Sequence, residues 1–193
     1  MKYLLNKEIN ESYLAKKSLL NNYKKIKKTV EIIFKKISKG GKIFLCGNGG
    51  SAADAQHLAA EFLVRLRKGI NRSPIPAISL FTDPSTITAC SNDYDFKYIY
   101  SRNLEGLGSK KDVLIVISTS GNSENIIEAA KTAKKKKIFV VGFLGGDGGS
   151  LNNSCDLSII VDSKKTSRIQ EAHIFIGHFI FEQVENLYLK NTS

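Results

Sequence analysis

The chain has 193 residues, of which 42% are hydrophobic and 24% charged; this suits one globular domain with a sizeable core, and no apolar run reaches the ~20 residues that span a bilayer. Its net charge of +11 suits an anionic partner, whether a phosphorylated metabolite, nucleic acid or an acidic protein. The lysines gather in helical runs such as 24–28 and 134–137 with no interleaved aromatics, so they read as solvated faces and not as a nucleic-acid stripe. Cys46, Cys90 and Cys155 form no CxxC pair, which points to a reducing compartment and away from a disulfide frame or a thiolate zinc site. The N-terminus is charged too early for a signal peptide. A cytoplasmic protein is expected.

Residues 3–39 carry apolar side chains at helical spacing, among them Ile9, Tyr13, Ile26, Val30, Ile33 and Ile37. They predict one or two amphipathic helices ending at the C-cap signal Gly40-Gly41. A strand follows from Lys42 to Leu45, then the loop Cys46-Gly47-Asn48-Gly49-Gly50-Ser51, then a helix from Ala52 to Arg67. Residues 76–80 read as a short buried strand, and Asp83 as the N-cap of a helix with Pro84 at its first position. Further strands are expected at 113–117, 138–143 and 157–161, with helices from about Glu124 and from Ser167 to Leu189. Strands that alternate with helices and are nearly continuously apolar predict a parallel sheet covered on both faces. The expected fold is a three-layer αβα sandwich with a five-stranded parallel sheet and an N-terminal helical extension, all one domain over residues 1–193.

In such a sheet, ligands sit beyond the carboxyl ends of the strands. Two loops there suit an anion. Asn48, Gly49, Gly50 and Ser51 open a helix whose first N–H groups are unpaired and whose dipole end is positive. Ser118, Thr119, Ser120 and Ser123 put hydroxyls at a second helix start, where the bland alternative is an N-cap with spare serines. Gly47-x-Gly49-x-x-Ala52 meets the relaxed dinucleotide fingerprint. The acidic partner due about 20 residues later is missing, and the hydroxyl loop has no role in that scheme.

The chain has three histidines. His57 and Glu61 lie four apart on one helical face, about 6 Å along the axis; this is half of a divalent-metal site, or merely a pair of surface neighbours. His178 sits in apolar sequence and reads alone as a core histidine. Gln170 and His178 lie about 12 Å apart along a straight helix, so both reach one ion only through a bent helix or a neighbouring subunit. Arg65 is either an anion contact or a salt-bridge partner.

Gly-Asn-Gly-Gly-Ser-Ala-Ala-Asp-Ala-Gln-His at 47–57, Ser-Thr-Ser-Gly-Asn-Ser at 118–123 and Arg-Ile-Gln-Glu-Ala-His at 168–173 with His178 resemble the bacterial phosphoheptose isomerases of the sugar isomerase (SIS) superfamily. The resemblance spans essentially the whole chain. It implies interconversion of sedoheptulose 7-phosphate and D-glycero-D-manno-heptose 7-phosphate, the entry to heptose for lipopolysaccharide or capsule. It implies one Zn2+ per subunit held by His57, Glu61, Gln170 and His178, and a homotetramer with sites at subunit interfaces. Substrate contacts are implied at Asn48, Gly49, Gly50, Ser51, Glu61, Asn92, Asp93, Ser118, Thr119, Ser120, Ser123 and Gln170. Glu61 would then be the base at carbon and His178 the acid/base partner at oxygen, passing through an enediol. A metal-bound carboxylate is a weaker base, so either Glu61 leaves the ion during turnover or the ion mainly positions the site. The alternatives are another sugar-phosphate isomerase, or a non-catalytic SIS tetramer that binds the replication initiator protein; the latter has no need of these four residues together. No nucleic-acid or membrane partner is expected.

Overall fold

The structure, a computed structural model, describes residues 1–81 and 83–192. Five strands, β1 (Ile43–Gly47), β2 (Ala77–Ser79), β3 (Val113–Ser118), β4 (Phe139–Gly145) and β5 (Leu157–Val161), pair in the order β2-β1-β3-β4-β5. Every pairing is parallel. The order reverses direction at β1, which sets the loops after β1 and β3 side by side (Gly47 is in register with Ile117).

Alternation along the strands divides the core between the two faces. Ile43 and Leu45 face one apolar cluster, built with α1 (Lys2–Ser18), α2 (Tyr23–Ile37), α3 (Gly50–Leu63) and α7 (Thr166–Thr192). Phe44 and Cys46 face the other, built with α4 (Pro84–Asp93), α5 (Ile99–Leu107) and α6 (Glu124–Lys135). The αβα sandwich is as expected, and the N-terminal region forms two helices joined by a 3₁₀ turn at Leu19–Asn22. α2 buries Ile26, Val30, Ile33 and Ile37, one stripe at helical spacing.

Besides shifted ends (β1 runs on to Gly47 and α7 to Thr192), three segments differ from the sequence expectation. The helix after the glycine loop stops at Leu63 and not Arg67, because Arg67 and Arg72 turn back onto Glu185 of α7; tertiary ion pairing overrides a helical local composition. β4 starts one residue late, at Phe139, because Lys137 adopts φ 60° and Ile138 N donates to Ala133 O at 2.9 Å in the helix C-cap. α5 has no counterpart in the sequence reading. It buries Ile99, Tyr100 and Leu104 against the second sheet face. No described helix is long and apolar enough to cross a membrane.

Candidate active site

The glycine loop leaves β1 through Gly49, whose φ of 57° is a left-handed conformation that glycine adopts without strain. Asn48 and Asn125, the latter on α6, exchange two amide hydrogen bonds of 2.8 Å. That pair straps the first loop to the helix opened by the second. The Tyr100 hydroxyl donates to Gly47 O at 2.5 Å and reaches Asn48 Oδ1 at 3.5 Å, so α5, the helix absent from the sequence reading, anchors this loop from below. The Ile99-Tyr100…Leu104 spacing and Asp95, which accepts from Lys97 N, are the signals that mark it.

The loop after β3 folds on itself. Ser118 Oγ accepts from Gly121 N at 3.1 Å and Ser120 Oγ accepts from Asn122 N at 3.2 Å. In both bonds the hydroxyl is the acceptor, so its proton stays free to donate to an anion. Ser123 stands at the N-cap of α6 without a side-chain cap bond. Gly121 has φ +66°, and a Cβ there would lie 1.9 Å from Gly148 O, so the loop closes tightly against 148–149. Hydroxyls and the start of α6 thus come together in one place, an arrangement that could seat an anion.

The titratable groups meet on the seam between α3 and α7. His57 and Glu61 are one turn apart on α3, with Nε2 and Oε1 3.3 Å apart. His178, on α7, brings its Nε2 to 2.8 Å from that of His57. One ligand atom from each of the three lies within 4.8 Å of the others. His178 is therefore no core histidine. The seam is held by apolar contacts just beneath this trio: the Phe62 and Phe181 rings stack at 3.8 Å between centroids, and Leu58 packs directly against Gly177. Burial, then the neighbouring His57, pushes the His178 imidazole below its usual range, against the pull of Glu61. That keeps the ring neutral, the form that ligates metal. Burial raises the carboxyl of Asp54, one turn before His57 on α3, and its Oδ2 is buried with no partner; nothing in the local sequence marks this residue out.

The donors fit a zinc ion. Two imidazole nitrogens and a carboxylate are a zinc ligand set with a position left open. Ligand atoms ~2.0–2.1 Å from a tetrahedral ion stand about 3.3 Å apart, which matches the His57–Glu61 separation and asks the two histidine nitrogens, 2.8 Å apart, to part by about 0.5 Å. Glu61 presents Oε1 to His57, while its Oε2 is buried and lacks a protein partner.

Gln170 is placed elsewhere. A Cβ on Gly50 would lie 2.7 Å from Gln170 Nε2, so this amide covers the first turn of α3. Contacts at Gly50–Gln170 and Leu58–Gly177 show α3 and α7 running the same way, and His57 lies ~10 Å further along the axis from Gly50. Within one chain Gln170 joins the glycine loop and not the histidine–glutamate trio. Asn92 and Asp93 are exposed at the end of α4 and hydrogen-bond to each other at 2.8 Å. Arg65 is exposed past the end of α3, where helical spacing no longer relates it to Glu61, and forms no ion pair among the described residues. His173 is buried, its Nε2 3.1 Å from Leu144 O, a structural link from α7 to β4.

A doubly wound sheet with two loops suited to an anion at its switch point, and a metal-type trio ~10 Å and more further along α3, suits a domain that handles an anionic ligand. Residues 11–145 match the family model of the SIS domain. The chain is 47% identical to the phosphoheptose isomerase of Clostridium acetobutylicum over 96% of its length and 95% of the relative's. It is 49% identical to that of Campylobacter concisus over 79% of each. The solved phosphoheptose isomerase of Neisseria gonorrhoeae superposes with a TM-score of 0.89 at 36% identity, over 96% of this chain and 98% of that one; the Francisella tularensis enzyme gives 0.89 at 34%, over 94% and 96%. The chain belongs to the SIS domain family and, within it, to the phosphoheptose isomerases.

Proposed function

We propose that the chain interconverts sedoheptulose 7-phosphate and D-glycero-D-manno-heptose 7-phosphate in the cytoplasm, supplying heptose for lipopolysaccharide or capsule. The observation that carries this reading is the meeting of His57, Glu61 and His178, brought together across 121 residues of sequence, in a chain of this family. Nothing in a scaffold that binds a replication protein requires that constellation.

The chemistry moves a carbonyl between C2 and C1. Glu61 and His178 act while released from the ion: Glu61 takes a proton from the carbon beside the carbonyl and returns it to the neighbouring carbon, while His178 shuttles a proton between the two oxygens through an enediol. His57, Glu61 and His178 would hold the zinc ion, whose Lewis acidity polarises the sugar oxygens and steadies the developing negative charge. Ser118, Thr119, Ser120 and Ser123 grip the phosphate, so that binding at the remote end supplies orientation. Asn48 to Ser51 contact the sugar.

A homotetramer completes the site in this reading. His57 is exposed in the single chain and Glu61 and His178 only half-buried, so a second chain is needed to exclude water. Large apolar side chains stand exposed on the N-terminal helices and α7, including Leu5, Ile9, Tyr13, Phe175 and Phe179, and an apolar groove of about 390 Å³ runs between Tyr13 and Phe179. Residues 1–39 serve this assembly. Gln170, remote from its own trio, would serve as the fourth ligand from a neighbouring copy, and Asn92 and Asp93 would reach substrate the same way.

The test is turnover of sedoheptulose 7-phosphate by purified protein and by Glu61→Gln. The variant should lose turnover and solvent-proton exchange into the sugar while still binding it. Retained turnover would remove Glu61 as the base.

A further inference from the structure

Beyond the trio, the seam carries a buried ion pair that the chemistry above does not use. Arg72 Nε donates to Glu185 Oε1 at 2.6 Å, with the two side chains 2% and 0% exposed. A buried arginine–carboxylate pair adds little net stability over apolar side chains of similar volume, so its presence asks for another reason. The remaining guanidinium bonds supply one. Arg72 Nη2 donates to Glu61 O at 2.9 Å and Nη1 to Phe62 O at 2.8 Å. These carbonyls belong to the last turn of α3, which has no intrahelical donors left. Glu185 lies seven residues after His178 on α7, hence two turns along the same face. One planar group thus holds the backbone of Glu61 and the helix that presents His178. Arg67 also donates to Glu185, at 2.7 Å, yet its other bonds go to Glu182 and Asn186 and none to α3.

We propose that Arg72 and Glu185 are positioning residues: a strut between the end of α3 and α7 that fixes Glu61 against His178. This deepens, and rests on, the reading of the trio as a metal-dependent isomerase site. Arginine is required because only its fork bonds a carboxylate and two carbonyls at once; lysine, a point charge, cannot.

The experiment uses Co2+ as a spectroscopic probe of the trio in the full-length protein, beside steady-state kinetics and thermal unfolding. Wild type should show a Co2+ absorption band that His57→Ala abolishes. The apolar double variant Arg72→Met/Glu185→Met should still unfold cooperatively near the wild-type temperature. Its Co2+ dissociation constant should rise at least tenfold and its kcat fall at least tenfold, with KM within threefold. Arg72→Lys, which keeps the charge, should lie between the double variant and wild type, and Arg67→Met should stay within twofold of wild type on every readout. Wild-type Co2+ affinity and kcat in the double variant, or an Arg67→Met defect as large as the double variant's, would overturn the strut. If the double variant fails to fold, Arg72→Lys decides, and unchanged values there overturn it. Absence of any His57-dependent band in wild type would instead defeat the metal reading, and the strut with it.

Discussion

Gly177→Ala tests the seam at its tightest point. A Cβ at this position would lie 2.6 Å from Leu58 Cδ1 and 2.8 Å from Cδ2, where carbon atoms rest at 3.5–4.0 Å. Leu58 is fully buried, so either its side chain leaves its rotamer or the helices part by up to roughly 1 Å. Overpacking of this kind costs about 1–3 kcal/mol. The better helix propensity of alanine returns about 1 kcal/mol, leaving a net loss of roughly 0–2 kcal/mol in urea unfolding. The effect on turnover should be larger. Leu58 adjoins His57 and Gly177 adjoins His178, whose ring nitrogens are 2.8 Å apart, and an error of 1 Å among reacting groups costs on the order of 100-fold. We expect kcat to fall 10- to 100-fold, with partial recovery when Leu58→Ala is added, since the two sites are coupled. Gly106→Ala, whose Cβ meets nothing within 4 Å on α5, is the control and should leave kcat unchanged. Wild-type kcat in Gly177→Ala would refute the idea that helix separation governs the trio.

The buried ring of His173 should make the fold acid-sensitive. Burial pushes its pKa from 6.5 down to about 4, so between those values the unfolded chain holds the extra proton; stability should fall by up to about 3 kcal/mol as pH drops through that window. Urea unfolding at pH 7 and pH 4.5 should show a smaller loss for His173→Gln than for wild type, and equal losses would mean the ring does not govern that proton. Ser120→Ala should raise KM for the phosphorylated sugar about tenfold, the effect of one hydrogen bond to a charged group at ~1.5 kcal/mol, with kcat within threefold. An unchanged KM would place the phosphate elsewhere.

The sheet is legible in the sequence because its strands carry unbroken apolar runs such as Val113–Ile117, which only burial on both faces accommodates. The two strand–helix loops are legible because glycines and hydroxyls gather at those junctions, where backbone N–H groups and O–H donors are left bare at positive helix ends. The features that escape the sequence depend on partners distant along the chain. α5 is short, and its identity comes from Tyr100 reaching Gly47. The early stop of α3 comes from Glu185, more than a hundred residues on, drawing Arg67 and Arg72 away from a helical path. His57 and Glu61 pair through helical spacing, whereas His178 joins them only through the family resemblance, since apolar neighbours alone mark a core position. The 12 Å between Gln170 and His178 is a sound warning: the fold places that amide at the glycine loop.

In the proposed reaction His57, Glu61 and His178 hold one metal ion on which isomerisation depends. Metal content and turnover of sedoheptulose 7-phosphate should be measured on the same preparation before chelation, after it, and after zinc is restored, with His57→Ala alongside. Activity should vanish and return with about one zinc per chain, and His57→Ala should retain neither. Full turnover in the metal-free protein would contradict it.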